Sequence, residues 1–255
     1  MKQNINGLKD LTNEVKVEVI RRRFLHEADA KPQLFHEIDV KRVRTEDWQI
    51  ERYLTSNGSA DEALNSLITA LEWKKSFGLH ERNHKYFPKE MFKIYSYEKP
   101  SVDKNGRLAL WGRQRKYKNH PEFDQLFRQF MAYLIESVDR QAGNRGWTIV
   151  YMAKTGGITE ILGNQYIDYY ANGCQLFLNV DTPWIIRQNW KLVKNFQSTS
   201  FVHQIKHITR DELREQFNID SIPKWLGGTR QTIYEDITEQ MPTFHEIKHL
   251  DFNLE

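Results

Sequence analysis

Through the first third of the chain, apolar residues recur at helical spacing; beyond it they form short apolar runs separated by helix-like stretches. Leu11, Val15, Val19 and Ile20 predict a first helix that runs into Arg21-Arg22-Arg23-Phe24, with Pro32 ending it or separating it from the next. A second helix is expected over residues 45–54 and a third over 59–77. The third is the best marked. Ser59 and Glu62 have capping-box spacing, Gly78 supplies a stop, and Ala63, Leu64, Leu67, Ile68 and Leu71 make one apolar stripe.

From about residue 86 the pattern changes. A short helix from Pro88 precedes strands expected at 94–97 and 107–112, joined by the turn signal Asp103-Lys104-Asn105-Gly106. Pro121 opens a long helix through Gln141, with Phe127, Phe130, Met131, Leu134 and Val138 on its buried side. Strands are expected at 147–152, 175–180 and 205–208. Helices are expected at 158–170, 183–196 and from Thr209, whose spacing to Glu212 is a second capping box. Strands alternating with helices imply an α/β fold with a mostly parallel sheet behind a helical N-terminal lead-in.

Composition narrows the reading. The 255 residues suit one large domain or a domain with a helical annex, able to bury roughly 70–75% of the unfolded surface without a disulfide or metal staple. The lone Cys174 rules out an internal disulfide and, with no basic neighbour in sequence, reads as buried rather than reactive. The net charge of +3 is too small, and the cations too scattered, to argue for nucleic acid. No apolar run approaches the ~20 residues that span a bilayer, and the first residues lack a signal-peptide core. The expectation is a cytoplasmic chain, peripheral at membranes.

That last expectation comes from residues 181–196, DTPWIIRQNWKLVKNF. Pro183 fits a first helical turn. At 100° per residue, Leu192, Ile185, Phe196, Val193, Ile186 and Trp190 share one wide arc. Arg187, Lys191, Lys194, Gln188 and Asn195 fill the remainder with Trp184, and Asn189 falls inside the apolar arc. An arc this wide can face a pocket and an acyl-chain boundary together, with cations worth ~1 kcal/mol each near anionic headgroups. An ordinary crossover helix shows the same pattern, and the residues alone leave both readings open.

Other motifs carry less. His245 to His249 spell H-E-x-x-H, which on a helix would put two histidines on one face with Glu246 as base, but only six residues follow to supply a third zinc ligand. His203 and His207 share a sheet face if their segment is a strand, with Asp211 near, as a lesser metal candidate. Gly156-Gly157 and Gly227-Gly228-Thr229 lack the rest of a phosphate-binding loop and read as turns.

Four segments in order resemble the CRAL-TRIO family of intracellular lipid-binding proteins: the helical stretch ending in Phe77-Gly78, TIVYMAKTGG at 148–157, YYANGCQLFLNVDTPW at 169–184, and SIPKWLGGT at 221–229. The resemblance spans roughly residues 20–230. It implies a lead-in over 1–85, a lipid-binding domain over 86–230 and a tail over 231–255. It also implies a twisted sheet with flanking helices, and a gate helix at 183–196 closing over an apolar pocket.

On that resemblance, the pocket floor would draw on Leu108, Leu110, Ile149, Tyr151, Leu176 and Leu178. The gate would contribute Ile185, Ile186, Asn189, Trp190, Val193 and Phe196, and Trp184, Arg187, Lys191 and Lys194 would meet the membrane. Three departures stand out: Met152-Ala153-Lys154 replaces the usual aspartate motif, Ala171 replaces proline after the tyrosine pair, and the connection from Thr155 to Tyr169 is short. Members that hold phosphatidylinositol carry glutamate and lysine where this chain has Asn172 and Gln204, so a neutral or weakly polar lipid is implied. The function implied is a non-enzymatic carrier of one hydrophobic molecule, with no cofactor, no metal, no nucleic-acid partner and reversible membrane contact. The alternatives are a lipid-empty module that recruits a protein partner, and a zinc hydrolase built on residues 245–249.

Overall fold

A computed structural model describes residues 12–94, 98–113, 123–152, 169–185, 187–188, 205–231 and 241–248. The chain divides into two compact units. One comprises residues up to 81 together with 169–173, and the other comprises the rest.

The first unit holds α1 (Asn13–Ala30), α2 (Glu37–Thr45), α3 (Trp48–Ser56) and α4 (Ala60–Ser76). Their apolar stripes meet in one core, with Ile20 and Phe24 of α1, Val43 of α2, Ile50 and Tyr53 of α3, and Ala63, Leu67 and Leu71 of α4 all buried. The helix expected at 45–54 is α3, shifted by a few residues, and α2 before it was not expected. His36 caps α2 by accepting the Ile38 N–H at its Nδ1 (3.2 Å), and the chain leaves helical geometry at Glu46 before α3 begins. The expected capping at Ser59 is present, with the Glu62 N–H donating to Ser59 Oγ at 3.2 Å, and Gly78 takes the left-handed φ of 64° that stops the helix.

Residues 169–173 complete this unit. The Tyr53 hydroxyl donates to the Tyr169 carbonyl at 2.9 Å and Arg52 Nε to the Ala171 carbonyl at 2.7 Å. Trp73 stacks on Tyr169 with ring centroids 4.3 Å apart, and the Lys74 ammonium lies 4.6 Å from the Tyr170 ring centre. Asn172 has φ 50°, a conformation that asparagine tolerates better than most residues, and its amide donates to the Arg52 carbonyl. That position therefore has a backbone role here.

The second unit is built on a five-stranded sheet among the described residues, in the order β1 (Glu98–Val102), β2 (Leu108–Arg113), β3 (Trp147–Met152), β4 (Cys174–Val180), β5 (Ile205–Ile208). β1 and β2 form an antiparallel hairpin, and β2 to β5 run parallel. The first strand lies later than the pattern suggested. Ile94 ends a helix, α5 (Lys89–Ile94), and pairing begins at Glu98. The turn between the strands is the expected one: Asp103 Oδ1 accepts the backbone N–H groups of Asn105 and Arg107, and Gly106 adopts φ 77°.

The long helix α6 (Asp124–Ala142) buries Phe130, Met131 and Val138 as its pattern predicts, while Phe127 and Leu134 are half-buried. α7 (Arg210–Gln216) starts from the full capping box of Thr209 and Glu212, and its last carbonyls accept hydrogen bonds from Lys104 Nζ. Those cap bonds from Thr209 hold the Glu212 carboxyl below its ordinary range.

The segment set apart as a tail contributes α8 (Phe244–Lys248), which joins this unit: the Lys89 N–H donates to the Pro242 carbonyl, and Phe244 meets Phe123 edge to face. At 221–229 the chain needs both of its glycines. Gly227 is left-handed at φ 87°, and a Cβ on Gly228 would lie 1.8 Å from the Ile222 carbonyl oxygen.

Candidate functional site

The two faces of the sheet differ in kind. On one, Ala109, Trp111, Val150, Met152, Leu178, Val180 and Ile208 pack against Leu213 of α7 and against Phe217, Ile222 and Leu226. The single polar atom that Trp111 brings there is satisfied by Ser101 Oγ at 2.7 Å. This face is a finished core.

The other face is set by register. Leu110, Ile149, Phe177 and Ile205 form one row across four strands. Two residues further along, at the carboxyl ends of the strands, Gly112, Tyr151, Asn179 and His207 form the next. An apolar row therefore lies beside a polar one. Trp147 shares the parity of Ile149 and donates from its indole N–H to Asp139 of α6 at 2.9 Å, so α6 covers the start of this face. The carboxyl ends of parallel strands are where open α/β sheets bind ligands.

The polar row has a defined geometry. Asn179 is 1% exposed, and its Oδ1 has no hydrogen-bond partner. The Thr182 hydroxyl donates to the Asn179 carbonyl at 3.3 Å and lies 2.9 Å from His207 Nδ1. With that hydroxyl proton committed, Nδ1–H of His207 is the donor to Thr182, which leaves Nε2 as the acceptor nitrogen. Burial, with the charge of Arg187, lowers the His207 pKa and keeps the ring neutral.

Immediately after β4, the Arg187 N–H donates to the Pro183 carbonyl at 3.2 Å and opens a helical turn. Trp184 on that turn is 67% exposed and Ile185 54%.

A family model described as the CRAL/TRIO domain matches residues 90–228, more than half of the chain. The chain belongs to the CRAL/TRIO family. Among solved structures, the crystal structure of Sfh5 is similar over 92% of this chain and 94% of that one, with a TM-score of 0.58 and 12% identity, a likeness of fold. The family is one of lipid-binding and lipid-transfer modules, and the matched span runs from α5 to the glycine pair at 227–228.

Against this fold, Leu108, Leu110, Ile149 and Tyr151 share one face, the first and last half-buried and the middle two buried. Leu176 and Leu178 do not join them, which corrects the expectation that all six line one floor. They stand on the opposite face, where Leu178 is wholly buried in the finished core.

The cause is a bulge. Trp147 pairs with Cys174 but Thr148 with Leu176, so one extra residue, Gln175, inverts the parity of β4. Gln175 lies over Gly146, where a Cβ would come within 2.7 Å of its side chain. Phe177 and Asn179 come to this face through that shift, and Ile205 and His207 of β5 stand beside them. Had the bulge been anticipated, the polar Asn179 amid an apolar strand was the available signal.

Ile185, expected toward the ligand, is exposed beside Trp184. Arg187 is exposed. Ile186, Asn189, Trp190, Lys191, Val193, Lys194 and Phe196 lie outside the described side chains, as do Gln204 and His203.

The H-E-x-x-H segment has another use. Glu246 accepts the Thr243 N–H at 2.6 Å and its hydroxyl at 3.0 Å, which hold its carboxyl below the ordinary range and commit it to capping α8. Burial pushes the Cys174 thiol up, as expected of an inert cysteine. Among the described residues, no helix is long and apolar enough to cross a membrane.

Proposed function

We propose that this chain is a non-enzymatic, cytoplasmic lipid carrier or sensor, peripheral at membranes. It holds one neutral or weakly polar hydrophobic molecule on the Leu110–Ile149–Phe177 face, beneath a gate helix at 183–196. Its domain is residues 86–230, with 1–85 as lead-in. Within the family, the Arg21-Arg22-Arg23-Phe24 start and the 181–184 segment ally it with the N-terminal domain of motile sperm domain-containing protein 2.

The observation that carries this reading is the turn that follows β4. An exposed tryptophan and isoleucine stand side by side, next to the exposed Arg187, directly after a strand of the proposed floor. Tryptophan with a basic neighbour suits the headgroup boundary of a membrane. Binding there is reversible, because each apolar side chain contributes about 1.5–3 kcal/mol when fully buried and a few such contacts do not anchor a protein permanently. The position after β4 couples docking to the ligand, since any tilt of this helix moves the cover of the floor.

The test uses vesicles containing phosphatidylserine. Trp184→Glu combined with Ile185→Glu is expected to cut co-sedimentation by at least about tenfold with the melting temperature unchanged. Trp190→Glu with Ile186→Glu is expected to abolish lipid exchange. Unaltered exchange in both variants would overturn the gate, and a purified protein without any lipid by mass spectrometry would overturn the carrier.

A further inference from the structure

We propose that Tyr151, Asn179 and His207 form a polar subsite for a free hydroxyl group on the bound molecule, so that the cargo is a lipid alcohol rather than an ester, an ether or an anionic phospholipid. The inference rests on the carrier reading and deepens it.

Asn179 is the reason. It sits on a central strand, opposite Tyr151 on one side and His207 on the other, with almost no exposed surface and an unpartnered Oδ1. A buried carboxamide oxygen without a donor is costly, and native interiors rarely keep one unless something else fills the place. The next-row neighbours Ile149 and Phe177 offer no donor. Thr148 also has an unpartnered oxygen, but it stands singly among apolar neighbours on the finished face, whereas Asn179 stands in a row of three polar side chains.

The chemistry of the row selects the ligand. Asn179 Oδ1 is an acceptor, and the Thr182 contact makes His207 Nε2 an acceptor as well. Burial keeps that imidazole neutral, so it brings no charge to hold an anion. A hydroxyl donates its proton to Oδ1. An ether or ester oxygen only accepts, and leaves Oδ1 unmet. An ionised phosphate has no proton to give and would set its charge against two acceptors. The apolar row one step away takes the start of the hydrocarbon body, so the alcohol lies at the carboxyl edge with its chain running over Ile149 and Phe177.

Three probes of one chain length separate the possibilities: octadecanol, octadecyl methyl ether and octadecyl phosphate, each titrated into delipidated full-length protein by displacement of a fluorescent fatty alcohol. The alcohol is expected to bind about tenfold or more tighter than the ether, the difference that one buried unsatisfied polar group makes. In Asn179→Leu, which nearly conserves volume, the alcohol-to-ether ratio is expected to fall to about one. Because the ratio in the unaltered protein is read first, the test stands even if the variant folds poorly.

Equal binding of alcohol and ether, or a preference that survives Asn179→Leu, overturns the subsite while leaving the carrier intact. Tightest binding of the phosphate overturns it in favour of an anion site. Failure of all three probes to bind overturns both the subsite and the carrier.

Discussion

The two faces of the central sheet are made from the same strands, yet they are furnished differently. The closed face bonds the Trp111 indole to Ser101 and leaves one isolated hydroxyl, that of Thr148, without a partner among packed apolar side chains. The other face alternates an apolar row with a row of tyrosine, asparagine and histidine, and keeps an acceptor without a donor. A sheet that only needed stability would treat both faces alike, because burying polar groups without partners costs free energy. That difference is the reason for proposing the ligand on the second face, while the first serves stability.

The contrast is broken most severely at Trp111. Trp111→Ala should cost about 3–5 kcal/mol, read as a lower denaturant midpoint, because it empties the middle of the closed face and also strands Ser101. The lipid content of whatever protein folds should be unchanged. A sharper comparison adds volume at neighbouring positions of β3. Val150→Phe overpacks the closed face and should lose about 1–3 kcal/mol, again without changing bound lipid by mass spectrometry. Ile149→Phe points to the other face; it should lose bound lipid and little stability. If the two variants behave alike, the faces do not differ in function.

Much of this architecture was legible beforehand. The capping pairs Ser59–Glu62 and Thr209–Glu212 and the Asp103–Gly106 turn rest on local chemistry, and each is where its residues predict. What failed depends on distant chain. Ile94 has strand propensity but ends a helix. The parity of β4 could not be read by alternation, because the Gln175 bulge is set by pairing with β3 across more than twenty residues of intervening sequence. Family resemblance implies a pocket and a gate as a pair but does not say which side of β4 would face them. Simple alternation puts Leu176 and Leu178 on the face of Ile149, where the bulge puts Phe177 and Asn179.

A smaller effect tests the cover of the closed face. Thr209→Ala removes the hydroxyl that accepts the Glu212 N–H at the start of α7, and should cost about 1 kcal/mol by denaturant titration. Thr209→Ser should restore nearly all of it. Neither change should alter lipid content, because α7 packs only against the closed face among the residues of that core.

The smallest effect belongs to His207 and carries the comparison into solution. Its folded pKa lies below the ordinary histidine value, through burial and then the Arg187 charge. The unfolded chain therefore binds the proton more readily, and stability falls as the pH drops through the ordinary histidine range towards the lowered folded value. His36, lowered by burial and by His80, contributes in the same direction within the first unit. Chemical denaturation of the lipid-free protein between pH 8 and pH 5 should thus show a midpoint that declines on acidification, and His207→Gln should flatten part of that decline. If His207→Gln leaves the slope untouched, the ring titrates as it would in water, and the polar row is wetter than its packing against β4 implies.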